Sequence, residues 1–199
     1  MLSEGVSGKS DNVRLRVVEV MGKRKIMRGV DMIADGKLMD MLTEYAASHQ
    51  HPFNIFVHMI GIPTIMLGIL IPLTWVGFEV GDVRVSLAHI LILGFFIFYL
   101  SLDILFATVF AVAAFLLLLL AEKLGNYPGS MSWYIAAFCL VSGYIGQFIG
   151  HAVEKSKPVL IEHPIQAHLA APFFTVVELF KLAGLREELF DEIQSRINS

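Results

Sequence analysis

Residues 55–78 read IFVHMIGIPTIMLGILIPLTWVGF, a stretch without a single Asp, Glu, Lys or Arg. Roughly 20 consecutive apolar residues are enough for a helix to cross the hydrocarbon core of a bilayer, so this stretch predicts a transmembrane helix. Three further stretches without these charged residues follow, at residues 85–102, 104–121 and 131–150. The sequence therefore predicts an all-α membrane protein with about four transmembrane helices.

The segments around these runs differ in character. Residues 1–36 are polar and basic and are expected to form a flexible cytoplasmic tail, ahead of a single membrane domain at residues 37–182. Residues 164–180 are apolar but carry Pro172 at their centre, which predicts a broken, re-entrant or interfacial segment, because proline interrupts helical hydrogen bonding. Residues 183–199 show the mixed pattern typical of an amphipathic surface helix.

The connections between the four runs are expected to be short. Residues 77–84 and 122–130 predict loops. Only Asp103 separates the second run from the third. Aspartate is a favoured N-cap residue, so we predict a tight turn there, with Asp103 capping the third helix.

Composition supports a membrane protein and excludes several other classes. Hydrophobic residues make up 56% of the chain and charged residues only 17%, against about a quarter charged in a soluble domain. The net charge of −3 argues against a nucleic-acid partner. The single cysteine, Cys139, excludes an internal disulfide and a cysteine-rich metal site. The polar residues 1–11 do not resemble a cleavable secretory signal.

Lysine and arginine predict the orientation of the chain in the membrane. Thirteen of the fifteen precede the first apolar run or follow the fourth, and only Arg84 and Lys123 lie in the loops on the other side. Because positive residues favour the cytoplasmic side, both termini are expected in the cytoplasm, at a bacterial inner membrane or a eukaryotic endoplasmic reticulum. This topology collects six of the seven histidines near one face and leaves out His89.

Three of these histidines are the main candidates for a metal site. His49 and His58 stand at the start of the first run, and His151 closes the fourth. Imidazole is the commonest metal ligand among side chains, and an unpartnered imidazole inside an apolar run costs free energy. The alternative for His58 is a structural hydrogen bond to another helix, and for His49 it is exposure among lipid headgroups. Pro52 favours a break that folds His49 back toward His58.

A polar stripe near the end of the fourth run supports the same centre. Gln147, His151 and Glu154 are spaced four and three residues apart, so they share one face of a helix. An imidazole and a carboxylate at this spacing serve one metal centre in di-iron helical bundles, and a mixed set favours non-haem iron. The alternative is a helix end that reaches the headgroups, against which the position of Gln147 within the hydrocarbon argues. A small-residue face for close helix packing is predicted from Gly143, Gly146 and Gly150.

Other polar residues are weaker candidates. Either His163 or His168 could supply a further metal ligand, whereas His51 is less favoured than His49. Near the opposite leaflet, His89 is expected to make a structural hydrogen bond. Support of the metal or contact with the substrate is expected from Tyr45, Asn54, Gln147, Lys155 and Lys157.

The residues alone leave several classes of function open beside a non-haem iron enzyme. Paired histidines on helices can ligate haem, which predicts an electron-transfer protein. The glycine face and the basic tail fit a non-catalytic protein that binds lipid or acts as a scaffold. Zinc-dependent hydrolysis of a lipid is a third alternative, because imidazole also suits zinc.

Three motifs carry a resemblance to a known family, and they read Tyr45-x3-His49-x2-Pro52-x-Asn54-x3-His58, Gln147-Phe148-Ile149-Gly150-His151-x2-Glu154 and Ala171-Pro172-Phe173-Phe174. Over residues 39–182 the chain resembles a family of small integral membrane proteins. That family is typified by the fungal endoplasmic-reticulum 2-hydroxy fatty acid dioxygenase.

The resemblance implies an Fe(II)-dependent enzyme that uses O2 to shorten 2-hydroxy fatty acids by one carbon, a step in sphingolipid degradation. It implies His49, His58 and His151 as catalytic ligands of Fe(II), with Glu154 as a further ligand or a hydrogen-bond acceptor beside them. The partners it implies are a 2-hydroxy fatty acid or related lipid, O2 and the bilayer. Association into a homo-oligomer is left open.

The sequence departs from the fungal pattern in three ways. It carries additional histidines at His163 and His168, either of which could adjust the metal site. Its acidic residue, Glu154, stands one position closer to the preceding histidine. Its long basic N-terminal tail is unusual for the family.

Overall fold

A computed structural model describes residues 36, 38–157, 159–162 and 164–198. Residues 1–35 of the predicted tail and His163 lie outside the described residues. Residues 38–47 form helix α1. The elements that follow it are α2 (Pro52–Trp75), β1 (Gly77–Val80), β2 (Val83–Ser86), α3 (Leu87–Leu100), α4 (Ile104–Gly125), α5 (Met131–Glu154), α6 (Val159–Glu162), α7 (Pro164–Leu182) and α8 (Glu187–Ile197).

Four of the described helices, α2, α4, α5 and α7, are long and apolar enough to cross a membrane. The predicted all-α membrane fold is therefore confirmed, although one of the four long helices is not the one expected. Helix α3 has only 14 residues, or about 21 Å of helix, against a hydrocarbon core of roughly 30 Å. Helix α7 supplies the fourth long helix in its place.

Helix α7 runs unbroken through Pro172, so the predicted break is absent. A proline inside a helix removes one backbone hydrogen bond and crowds the preceding turn. In that turn the hydroxyl of Tyr99, which is fully buried on α3, donates a hydrogen bond of 2.7 Å to the carbonyl oxygen of Leu169. The carbonyl that Pro172 leaves without its helical partner is that of His168, so the bond from Tyr99 supports the neighbouring residue of the same turn and does not replace the lost bond.

The two connections beside α3 also have defined structures. The predicted loop at residues 77–84 is largely an antiparallel hairpin, in which Glu79 pairs with Arg84 and Gly81 takes the positive φ of the turn. The predicted N-cap is confirmed, because Oδ1 of Asp103 accepts hydrogen bonds from the first backbone N–H groups of α4. The other carboxylate oxygen of Asp103 lies 2.6 Å from Arg186, just before α8.

Helices α2 and α5 form the most extensive helix pair of the described structure. Their close approach depends on glycine: a Cβ atom at Gly143 would lie 3.1 Å from the carbonyl oxygen of Gly61. Gly150 approaches Asn54 in the same way, near the cytoplasmic end that the charge pattern predicts. The predicted small-residue face is confirmed, since α2 lies against Gly143, Gly146 and Gly150.

The remaining helices pack around this pair. Helix α4 lies against α2, α3 and α7, and its Phe106 contacts the ring of Phe173 on α7, with both side chains fully buried. Helices α1 and α8 join the same core through Leu42 and Ile193. The result is a helical bundle in which the C-terminal turn of α5, the start of α2 and the end of α1 meet.

The α2–α5 contact gives a first prediction. At Gly68 an added Cβ would lie 2.8 Å from the backbone nitrogen of Leu140, which cannot move without separating the helices. We expect Gly68→Ala to lower the free energy of unfolding in detergent by about 1–3 kcal/mol, as overpacking does. Gly94→Ala on α3 is the matched control, because nothing lies within 4 Å of its added Cβ. Equal thermal stability of the two variants would show that α2 and α5 leave room for a methyl group at Gly68.

Candidate metal centre

Three histidines from separate parts of the bundle converge on one point. His49 follows α1, His58 lies in the second turn of α2, and His151 lies in the last turn of α5. They are only 3–4% exposed, and one nitrogen from each lies within 4.8 Å of the others. Their ring centroids are 4.4–4.9 Å apart, with the rings edge to face. The predicted convergence of these three residues is thus observed.

Hydrogen bonds fix the orientation of the first two rings. Nδ1 of His49 lies 2.7 Å from the carbonyl oxygen of Tyr45, and Nδ1 of His58 lies 2.9 Å from that of Asn54. A carbonyl can only accept, so Nδ1 carries the proton in both rings and Nε2 keeps its lone pair. Such partners orient metal-binding histidines and set their tautomer.

The third ring is oriented by a serine. Nδ1 of His151 lies 2.8 Å from Oγ of Ser156, and that hydroxyl donates in turn to the carbonyl oxygen of Ser48 at 3.5 Å. With its proton directed at Ser48, the hydroxyl accepts from Nδ1 of His151. All three imidazoles can therefore present an unprotonated Nε2 toward one another, which is the form that binds a metal ion.

The environment of His49 favours the neutral ring. Burial lowers the pKa of His49 to about 4, although the carbonyl of Tyr45 acts in the opposite direction. The phenol of Tyr45 stacks on the imidazole at a centroid distance of 4.1 Å, and Phe174 packs against both rings. Burial, with a smaller effect from Glu178, raises the pKa of Tyr45, so its hydroxyl stays protonated. Nε2 of His49 is buried without a hydrogen-bond partner among the described residues.

Glu154 is directed toward the loop before α2 rather than into the histidine group. One carboxylate oxygen accepts from the backbone N–H of Gln50 at 2.6 Å and of His51 at 3.2 Å. The other accepts a short hydrogen bond from the side-chain amide of Asn54. The carboxylate thus joins the end of α5 to the segment that carries His49. Of the two roles predicted for Glu154, further ligand or hydrogen-bond acceptor, these contacts correspond to the acceptor.

Most other polar candidates lie outside the group. His51 caps α2, where its Nδ1 accepts from the N–H of Phe53. The structural role predicted for His89 is confirmed, because its Nδ1 lies 2.8 Å from Oγ of Ser86 at the start of α3. Lys155 and Lys157 are exposed beyond the last turn of α5 and do not line the cavity beside the three histidines.

His168 lies near the group without joining it. Its Nδ1 lies 2.7 Å from the carbonyl oxygen of Pro164, and its Nε2 lies 2.8 Å from the hydroxyl of Tyr144. The carbonyl requires the proton on Nδ1, so Tyr144 donates to Nε2 and leaves no free nitrogen on this ring. As a metal ligand, His168 would have to give up one of these bonds.

A cavity of about 260 Å³ opens directly beside the three histidines. Along α2 it extends from His58 to Leu70, a distance of about 18 Å at the helical rise. Its walls are mainly apolar, and the residues that form them on helices α2 and α3 are Ile62, Ile65, Met66, Ile69, Leu70, Leu91, Ile92 and Phe95. On α5, the polar Gln147 and Tyr144 reach the same cavity. The arrangement suits a ligand with a polar head at the histidines and a long apolar chain.

Sequence reasoning missed two residues that shape the centre. Ser156 stands just past the end of α5, and a hydroxyl five residues after a candidate histidine gives no recognisable signal on its own. Phe174 belongs to the Ala-Pro-Phe-Phe motif, which is visible in the sequence. Its contacts with the rings of His49 and Tyr45 are tertiary and have no sequence signal.

Comparison with known proteins supports the resemblance seen in the motifs. Residues 36–182 match the family described as 2-hydroxy-palmitic acid dioxygenase Mpo1-like. The chain is also 33% identical over 147 residues to a protein named 2-hydroxy-palmitic acid dioxygenase MPO1 from Saccharomyces cerevisiae. That alignment covers 73% of this chain and 81% of the yeast protein. No solved structure gives a significant match.

The geometry of the three histidines predicts which of them hold a metal ion. We expect His58→Ala and His151→Ala to lower the bound metal per chain at least tenfold, because each removes one of three converging nitrogens. His89→Ala and His168→Ala are the controls, since both rings are engaged in other hydrogen bonds. The measurement is elemental analysis of protein purified in detergent. If His58→Ala kept its full metal content, His58 would not be a ligand of the metal ion.

The contacts of Glu154 predict a different response. Glu154→Gln keeps the shape but places an NH2 group against N–H donors, so the loop that carries His49 loses part of its support. Loss of an orienting partner typically weakens metal affinity about 10–100-fold, and we expect that reduction in a competition titration with a chelator. If the variant instead lost metal as completely as His58→Ala, Glu154 would be a direct ligand.

Proposed function

We propose that this chain, which belongs to the 2-hydroxy-palmitic acid dioxygenase Mpo1-like family, is an Fe(II)-dependent dioxygenase that shortens 2-hydroxy fatty acids by one carbon. One observation supports this most strongly: three buried histidines meet at the polar end of a long apolar cavity. The yeast relative is named for the corresponding reaction on 2-hydroxy-palmitic acid.

The three histidines suit an iron ion. Three neutral imidazoles and no thiolate are available, and imidazole suits iron, zinc and copper. Nε2 of His49 is buried and without a partner among the described residues, which costs free energy unless a ligand such as a metal ion binds it. When bound, Fe(II) would supply a site at which the substrate carboxylate, its 2-hydroxyl and O2 meet.

The proposed reaction balances without a second organic substrate. The C1–C2 bond of the 2-hydroxy acid breaks, C2 is oxidised to a new carboxyl group, and C1 leaves as CO2. One O2 accepts the four electrons, and one water is released. Neither 2-oxoglutarate nor a nicotinamide cofactor is required by this balance.

The bundle gives the acyl chain a route from the bilayer. Phe148 lines the cavity and is also 47% exposed on the outer surface of α5, so a single side chain separates the cavity from lipid at that point. We propose that the chain enters sideways here. With both termini in the cytoplasm, the histidines lie at the cytoplasmic interface, where the head of a fatty acid rests.

The close contact of the rings supports a single ion rather than haem. The centroids of His49, His58 and His151 are 4.4–4.9 Å apart, and each ring touches the other two. A porphyrin held by two axial histidines has to lie between their rings, and this spacing leaves no room for its plane.

The proposal predicts a measurable product. Purified wild-type protein, loaded with Fe(II) under argon, is incubated with 2-hydroxypalmitate in air, and pentadecanoic acid is followed by mass spectrometry. We expect product from the wild type and from His89→Ala, and a loss of at least 100-fold in His58→Ala and His151→Ala, because removal of essential catalytic groups commonly costs that much or more.

Two results would contradict the proposal. Folded, iron-loaded wild type that forms no pentadecanoic acid would exclude this substrate and reaction. Undiminished product from His58→Ala would exclude the three-histidine centre as the catalytic site.

A further inference from the structure

The amide nitrogen of Gln147 is a buried polar atom whose hydrogen bonding the described residues do not complete. Its Nε2 atom is inaccessible to solvent and has no hydrogen-bond partner among the described residues. It lies over Gly61 of α2, where even a methyl side chain would collide with it. The same side chain lines the cavity. A leucine would fill this place without leaving a donor unpaired, so the amide requires an explanation beyond packing.

The two helices place Gln147 directly below the histidines. On α5 it stands one turn before His151, and on α2 its neighbour Gly61 stands nearly one turn after His58. Because the helices are antiparallel, both displacements lead in the same direction, from the histidines into the cavity. The amide therefore borders the region that the first carbons of a bound fatty acid would occupy.

Several other polar side chains of the wall have hydrogen-bond partners. Tyr144 donates to His168, and the Nδ1 atoms of the three converging histidines are engaged as described. The walls of α2 and α3 beyond this level are apolar. Apart from the nitrogens that face the metal position and the phenol of Tyr45, which stacks on His49, the Gln147 amide is thus the polar group best placed to meet a ligand.

We propose that Gln147 hydrogen-bonds the 2-hydroxyl group of the substrate and thereby selects 2-hydroxy acids over unsubstituted fatty acids. This inference rests on the proposed function. Because Nε2 is closed off against Gly61, the contact with the hydroxyl falls to the amide oxygen, which accepts a hydrogen bond from the O–H group. An unsubstituted fatty acid would leave the amide unpaired, and sites built to bond a hydroxyl reject analogues that lack it. Gln147 is therefore a specificity-determining residue.

The test measures binding without turnover. Full-length protein in lipid nanodiscs, with its iron content measured, is titrated under argon with 2-hydroxypalmitate and with palmitate. In the wild type we expect 2-hydroxypalmitate to bind more tightly. In Gln147→Met we expect that preference to shrink about tenfold, roughly the value of one hydrogen bond, with palmitate affinity and iron content unchanged. Chelation of the metal contributes equally in both proteins and cancels in the comparison.

The controls separate this inference from its alternatives. Gln166→Met makes the same change at an exposed position of α7 and should leave the preference unaltered. Gln147→Leu is made in parallel, so the test does not depend on one variant folding. An unchanged preference in folded Gln147 variants would overturn the inference, as would a wild type that binds both acids equally.

The outcome is independent of the turnover experiment. If the preference depends on Gln147 but no pentadecanoic acid forms in air, the site recognises 2-hydroxy acids and the proposed reaction is wrong. If product forms while the preference ignores Gln147, the reaction stands and this inference fails.

Discussion

The close approach of α2 and α5 is the constraint on which the rest of the structure depends. Glycines on both helices bring the backbones near enough for His58 and His151 to share one centre. In a bilayer the surrounding lipid is as apolar as the helix surfaces, so shape and interhelical hydrogen bonds replace the hydrophobic effect in holding helices together. The short hydrogen bond from Asn54 to Glu154 adds such a contact at the end of the same crossing.

The centre combines costly burial with tight orientation. The buried, unpaired Nε2 of His49 costs roughly 1–3 kcal/mol relative to a hydrogen-bonded one, and the proposed ion would offset that loss. Carbonyl and hydroxyl partners hold the three rings before any ion arrives, so little ordering is left for binding. Glu154 also helps to hold His49 in place without contacting its ring, because its carboxylate fixes the backbone between His49 and α2. The adjoining cavity, apolar except near the histidines, suits the proposed lipid ligand.

The long apolar helices and the meeting of the histidines could be predicted from the sequence, because apolar runs and histidine spacing are local signals. Tertiary contacts decided the rest. Helix α7 crosses Pro172 intact, and Tyr99, about 70 residues earlier, hydrogen-bonds the carbonyl of Leu169 in the turn before the proline. Glu154 stands three residues after His151, which turns it about 60° around the helix, enough to direct it to the loop. The orienting role of Ser156 depends on the fold of a short segment after α5 that no motif marks.

The proposed function depends on three histidines holding one non-haem iron ion. The most direct test is X-ray absorption at the iron edge of the iron-loaded, full-length protein, kept free of O2. We expect scattering from about three imidazole rings around a single iron and no porphyrin signal. Iron without imidazole neighbours, or a porphyrin spectrum, would contradict it.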